Sequence, residues 1–340
     1  MAGSALNGDQ PSCAILGTGA AQGDRAVASI ELDRRHGLPG GTTERACGVR
    51  TRRYCDASDQ ISLAGRAARA ALEDAEVGPG ELDAILHAAA VPWQAIPSTA
   101  PLVQRALGIP DGAVAAFDVN ASCLGFLAAL HHARAAIAGG IWRRVLIVSS
   151  ERASRGLDWR VPGTAGLFGD GAGAAVVGAA SHAANGPVVM SVRLETHPSA
   201  YDASALVAGG TRLDHDAEPD AFELGRRFAM DGPALFALTR RHFARFVAET
   251  LEPMGWTLAD VDCVVPHQAS PLALRHMARA LGLSGGRLVD ISADHGNQIA
   301  ASLPIALDTA RRRGMAGPGA KVLMLGTAAG VSFGAAAIRM

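Results

Sequence analysis

The sequence predicts an α/β protein of buried sheets and covering helices, arranged in two successive halves. Short apolar runs such as 84–90 and 144–149 alternate with longer stretches of helical period. These runs are almost uninterrupted hydrophobic segments, as strands covered on both faces require. The pattern then begins again after 181–187, a small and polar stretch taken as the boundary between residues 1–182 and 183–340.

Residues 12–16 read as a strand, and 20–54 as loop-rich, with Leu38-Pro-Gly-Gly41 as a turn cluster. Asp59 caps a helix over 60–75, whose apolar face carries Ile61, Ala64, Ala68 and Leu72; Gly78-Pro79 stops it. Residues 84–90 form a strand, and Ser98 caps a helix through Leu107. A strand at 115–119 precedes a helix that starts with Cys123 in its first turn and runs to about Gly139. Residues 144–149 form the next buried strand, and Gly169-Asp-Gly-Ala-Gly173 a tight turn into a strand at 174–177. The second half repeats this logic: strand 188–196, helix 233–249, strand 263–265, helix 271–281, a helix after Asn297, and strands 322–325 and 331–338.

With 340 residues the chain accommodates two domains of about 150 residues each. Hydrophobic residues at 49% against charged residues at 19% describe a globular chain, not a disordered one. A net charge of −1 offers no electrostatic reason to expect nucleic acid or an anionic membrane as partner. No apolar run reaches the roughly 18 residues of a membrane span. Five irregularly spaced cysteines do not form a secreted disulfide framework, so a reducing, cytoplasmic setting is expected.

Cys123 stands at the expected junction of strand and helix. There, unpaired N–H groups and the helix dipole favour a thiolate, the form that acts as nucleophile. His267 follows an apolar strand and Pro266, and Asn297 lies between Gly296 and a helix. Cys, His and Asn together suit acyl transfer. Each also has a plainer reading: packing for a free cysteine, a satisfied structural histidine, a helix cap for the asparagine. Packing is kept for Cys13, Cys47, Cys55 and Cys263. A papain-like protease shares the order Cys, His, Asn but not the residues around Cys123. Gly17-Thr-Gly-Ala-Ala-Gln-Gly23 has its third glycine one position late for a dinucleotide loop. His131 and His132 point to different sides of a helix, so no metal site is expected.

Several blocks in order resemble the β-ketoacyl-acyl-carrier-protein synthase III family of the thiolase superfamily. They are Gly48-Val-Arg-Thr-Arg-Arg53, Ile96-Pro-Ser98, Ala116-Phe-Asp-Val119 with Cys123, and Leu167-Phe-Gly-Asp-Gly-Ala-Gly173. Met230-Asp-Gly232, Pro266-His-Gln-Ala269 and Gly296-Asn-Gln-Ile-Ala-Ala-Ser-Leu-Pro304 complete the series. The resemblance implies a thiolase-like duplicated fold of five layers, α-β-α-β-α, and a homodimer. It also implies a catalytic triad of Cys123, His267 and Asn297, with no bound cofactor. Substrates would be phosphopantetheine-linked thioesters on an acyl carrier protein or coenzyme A. Cys123 would hold the acyl group, and a malonyl thioester would lose carbon dioxide under hydrogen bonds from His267 and Asn297. The acyl oxyanion would be held by the N–H of Cys123 and one from the loop carrying Ala329 and Gly330.

The chain departs from the family pattern where substrates are selected. Thr42 aligns with a tryptophan that stacks on coenzyme A, Ser270-Pro271-Leu272 replaces Asn-x-Arg, and Ala328-Ala-Gly330 replaces three glycines. Ile96 takes a position often held by a phenylalanine that reaches the partner's acyl pocket. These departures resemble members of natural-product pathways loaded by dedicated carriers. The reading is decarboxylative condensation; the alternative is acyl transfer from a carrier to oxygen, nitrogen or a second carrier.

Overall fold

A computed structural model describes residues 13–182, 186–283 and 286–340. The boundary expected between 182 and 183 falls at residues 183–185, outside the described residues, as does Ser12 of the first expected strand.

Five strands of the first half are β1 (Cys13–Gln22), β2 (Ala84–His87), β3 (Ala115–Asp118), β4 (Arg144–Arg152) and β5 (Asp170–Ala179). They pair in the order β3-β2-β4-β5-β1. β2 is parallel to β3 and β4, while β5 is antiparallel to β4 and β1. The second half has β6 (Val188–Thr196), β7 (Cys263–Pro266), β8 (Lys321–Ala328) and β9 (Ser332–Arg339), paired as β7-β8-β9-β6. A parallel bridge between Val264 and Leu288 extends the far side of β7. With that bridge in third place, the second half has the strand order and directions of the first. The two sheets join through one pairing, Ala14 with Val188.

The helices are α1 (Gln60–Asp74), α2 (Ala100–Ala106), α3 (Gly125–Ala138), α4 (Gly232–Leu251), α5 (Pro271–Ala280) and α6 (Ser302–Arg312). Successive strand residues face opposite sides, and the core divides accordingly. Leu86, Ile147 and Val177 of one sheet and Val265, Met324 and Ala336 of the other bury Leu127 and Leu130 of α3 with Leu303 and Leu307 of α6. Their neighbours Ile85, Leu146 and Val176 pack outward on α1 and α2. Val264, Leu323 and Ala335 pack outward on Phe243 and Phe246 of α4. The result is five layers, α-β-α-β-α, with α3 and α6 in the middle.

Local signals read well where they are local. Asp59 caps α1 in a reciprocal box with Ser62. Four expectations change. Residues 20–54 are not loop-rich: Arg25–Ala28 pairs with Thr51–Tyr54, and Ser29–Arg35 and Thr42–Cys47 are helical. Bonds between the short pieces hold them, such as the Asp33 carboxylate accepting from Gly41 and Thr43 N–H at 2.7 and 2.9 Å. The glycines after residue 16 lie within β1, since side chains at Gly17 and Gly19 would strike the backbone of α1. The glycines of 169–173 likewise lie in or beside β5, where Gln298 and the start of α6 press on Gly171 and Gly173. Ser98 does not cap α2; the Asp118 carboxylate takes the N–H groups of Thr99 and Ala100 at 2.8 and 2.7 Å.

Candidate active site

Cys123 follows β3 in a tight turn. Leu124 N–H donates to Ala121 O at 3.1 Å and Gly125 N–H to Ser122 O at 3.0 Å. Ser122 has φ +50°, a left-handed conformation that turns the next residue sharply. Helix α3 begins at Gly125, so Cys123 precedes the helix instead of occupying its first turn. Gly125 permits this start, because a Cβ there would crowd the Ala88 carbonyl at 3.1 Å.

His267 leaves the end of β7 and is 5% exposed. Its N–H donates to Leu325 O on β8 at 2.8 Å. Next to it Gln268 is locked by three bonds, to Pro266 O, Val289 O and Ile291 N–H, at 2.8, 3.0 and 2.9 Å. Gly326 keeps the imidazole's place open: a Cβ there would stand 2.7 Å from His267 Cβ and 3.4 Å from Leu124 Cδ2. One glycine of β8 therefore touches both His267 and the neighbour of Cys123.

Asn297 is 9% exposed and anchored on both sides. Its N–H donates to Leu167 O at 2.7 Å, and its carbonyl accepts from Gly169 at 3.0 Å. Its Oδ1 accepts the Ile299 N–H at 2.8 Å in an Asx turn, while the cap position of the short helix that follows belongs to Gln298. Nδ2 donates to Ala269 O at 3.3 Å, and Ala269 N–H donates to His267 O at 2.9 Å. The amide is thus oriented through the loop of His267, with a second Nδ2 hydrogen left over.

Three loops from both halves converge, and the β8–β9 loop joins them: the N–H groups of Ala329 and of Cys123 itself face the thiol. Gly330 has φ +124°, which favours glycine there. The electrostatics correct the expected thiolate. Burial pushes the Cys123 thiol up to about 12, and the neighbouring Glu151 carboxyl adds to the rise, outweighing the two N–H groups. Burial also pulls His267 down to about 4. The resting site holds a neutral thiol and a neutral imidazole. His267 Nδ1 is sealed from solvent without a partner. A bare acceptor there costs less than an unpaired N–H, which puts the proton on Nε2.

The remaining sequence-derived residues make other contacts. Thr42 donates its hydroxyl to Pro39 O at 2.6 Å, and Ser270 Oγ caps α5 by accepting from Ala273 at 3.0 Å. Ile96 is 87% exposed in the loop after β2. A surface cleft lined by His36, Trp159, Arg160, Glu223 and Arg226 includes none of Cys123, His267 and Asn297. Its arginines pair with Asp158 and Glu223. Among the described residues no group of three His, Cys, Asp or Glu side chains could hold a metal ion, and no helix is long and apolar enough to cross a membrane. The sequence reading passed over Glu151; its signal is a lone carboxylate that follows two serines after the apolar run of β4.

Comparison with known proteins gives the family. Residues 117–198 match the family model 3-oxoacyl-[acyl-carrier-protein (ACP)] synthase III, and 251–340 match its C-terminal model. A β-ketoacyl-[acyl-carrier-protein] synthase III of Rhizorhabdus wittichii is 37% identical over 96% of this chain and 98% of its own length. One from Streptomyces coelicolor is 35% identical over 95% and 96%. The crystal structure of 3-oxoacyl-[acyl-carrier-protein] synthase III from Aquifex aeolicus superposes with a TM-score of 0.84 at 30% identity, covering 96% of this chain and all of that one. Sequence blocks, strand order and near full-length similarity concur: the chain belongs to the β-ketoacyl-acyl-carrier-protein synthase III family of the thiolase superfamily.

Proposed function

We propose that the protein forms carbon–carbon bonds by decarboxylative condensation, with Cys123, His267 and Asn297 as the catalytic triad. Cys123 attacks an acyl thioester on a phosphopantetheine arm, its proton leaves with the displaced thiol, and the acyl group stays on sulfur. The N–H groups of Cys123 and Ala329 face the sulfur and are placed to hold the oxyanion that forms beside it. A malonyl-type thioester on an acyl carrier protein then loses carbon dioxide. Nε2–H of His267 and the spare Nδ2–H of Asn297 donate to the enolate oxygen. The carbanion attacks the acyl carbonyl, and the cysteine leaves as the new bond forms.

The observation that carries this reading is the orphaned His267 Nδ1. It favours a histidine that donates from Nε2, as enolate stabilisation needs, over one that accepts a proton there, as simple acyl transfer needs. Asn297, with its amide aimed by Ala269 and Ile299, supports the same role.

The altered Thr42, Ser270 and Ile96 positions support a natural-product pathway of polyketide or fatty-acid-like type, with acyl groups delivered by a dedicated carrier. A homodimer accounts for the edge strand β3, whose outer side has no neighbouring strand among the described residues, and for the exposed Phe117 on it and the exposed Ile96. Five unpaired cysteines suit a cytoplasmic setting.

The test is incubation with an acyl-carrier donor, with and without malonyl-carrier protein, following intact masses and carbon dioxide. Condensation requires an adduct on Cys123 and malonyl-dependent carbon dioxide release. An adduct that passes to an alcohol or second carrier with no carbon dioxide would establish the transferase instead.

A further inference from the structure

Glu151 lies near the end of β4 and is completely buried, yet no step above uses it. Its Oε1 accepts the Ala90 N–H at 2.6 Å. The Ala90 carbonyl accepts from Asn120 Nδ2 at 3.0 Å, and Asn120 Oδ1 accepts the Ser122 N–H at 2.9 Å. Ser122 is the left-handed residue that directs Cys123. A continuous chain of hydrogen bonds therefore links this carboxyl to the turn of the nucleophile. The N–H groups of Val91 and Ala300 also face the carboxyl, the second from the turn that follows Asn297. Oε2 is sealed from solvent and has no hydrogen-bond partner.

We propose that Glu151 is a positioning residue for Cys123, a buried carboxyl group that joins the nucleophile turn to the Asn297 loop. The proposal rests on Cys123 being the acyl-bearing nucleophile. Burial pushes Glu151 up to about 8 against its N–H neighbours, and Asp170 adds to the rise. The charged or titratable groups around it are Cys123, from the turn before α3, and Asp170, from β5. Asp170 is itself tied to Cys55 and Ser154 and lies beside Arg152. Glu151 has no salt-bridge partner among the described residues. Below its own titration Glu151 is neutral, and above it two like charges would have to share one dry site before Cys123 could ionise.

Glu151→Gln keeps the size and an oxygen acceptor for Ala90 but cannot ionise. Alkylation of Cys123 by iodoacetamide, read by mass spectrometry, needs no acyl substrate, so its outcome is separate from that of the condensation assay. The two proteins should react at equal rates near pH 6, and the variant about tenfold faster near pH 9, the effect of a one-unit change in thiol pKa. Glu151→Asp, still ionisable, should retain a pH-dependent brake on the thiol. Should Glu151→Gln fail to fold, the native enzyme alone decides, since its rate should rise less than tenfold per pH unit between about pH 7 and 9. Superimposable profiles, or a full tenfold rise per unit in the native enzyme, would overturn the proposal.

Discussion

Phe168 and Asn297 form an isolated parallel β-bridge across the two halves of the chain. The backbone of Asn297 is clamped between Leu167 and Gly169, so the segment that leads into β5 sets the height of the Asn297 amide. Gly296 makes the clamp possible. It has φ +68°, and a Cβ there would come within 2.5 Å of the Leu167 carbonyl.

Gly296→Ala should therefore displace Asn297 while leaving Cys123 in place. Malonyl-dependent carbon dioxide release should fall roughly 100-fold, the scale of losing one preorganised donor, with acyl loading of Cys123 retained. Asn297→Ala should fall by a similar factor. Parallel mass and carbon dioxide measurements check both. Undiminished decarboxylation in either variant would remove Asn297 from the enolate site.

His267, with its pKa pulled down to about 4 by burial, stays neutral across the physiological range. Its ¹⁵N spectrum should show the Nε2–H tautomer and no titration near 6.5. The unfolded chain binds a proton there below about pH 6.5 and the folded chain does not, so this group's stability contribution is present above 6.5 and lost as pH falls towards 4. His267→Phe should flatten that part of the stability profile in chemical denaturation.

Cys123 should be a slow nucleophile before substrate binds. With its pKa near 12, alkylation at neutral pH should lag an ordinary exposed cysteine by at least about 100-fold and reach no plateau below pH 10. Cys123→Ala should acquire no acyl adduct from a carrier donor. Rapid labelling with a plateau near pH 7 would contradict the neutral resting site.

Glu151 also makes a prediction about stability. Its folded pKa is raised, so its contribution is fully present below the unfolded value near 4.5 and lost as pH rises through about 8. Across that window the native protein should lose on the order of 5 kcal/mol relative to Glu151→Gln. Urea denaturation at pH 5 and pH 8.5 tests this, and a constant difference between the proteins would contradict it.

The alternation of strands and helices, the Asp59 cap and the positions of β6 through β9 were legible in the sequence because periodicity and caps involve residues a few positions apart. The candidates Cys123, His267 and Asn297 were legible too, each at a strand end or turn with neighbouring glycine, proline or polar residues. What the tertiary structure decided involves residues far apart along the chain. The glycines at 17, 19, 171 and 173 became strand because helices from elsewhere lie on them. The cap of α2 came from Asp118. The thiol is neutral because burial outweighs the local dipole and the nearby N–H groups, and desolvation depends on every group packed nearby, not on sequence neighbours. The sequence alone determined which residues could do the chemistry; the packing decided their charge.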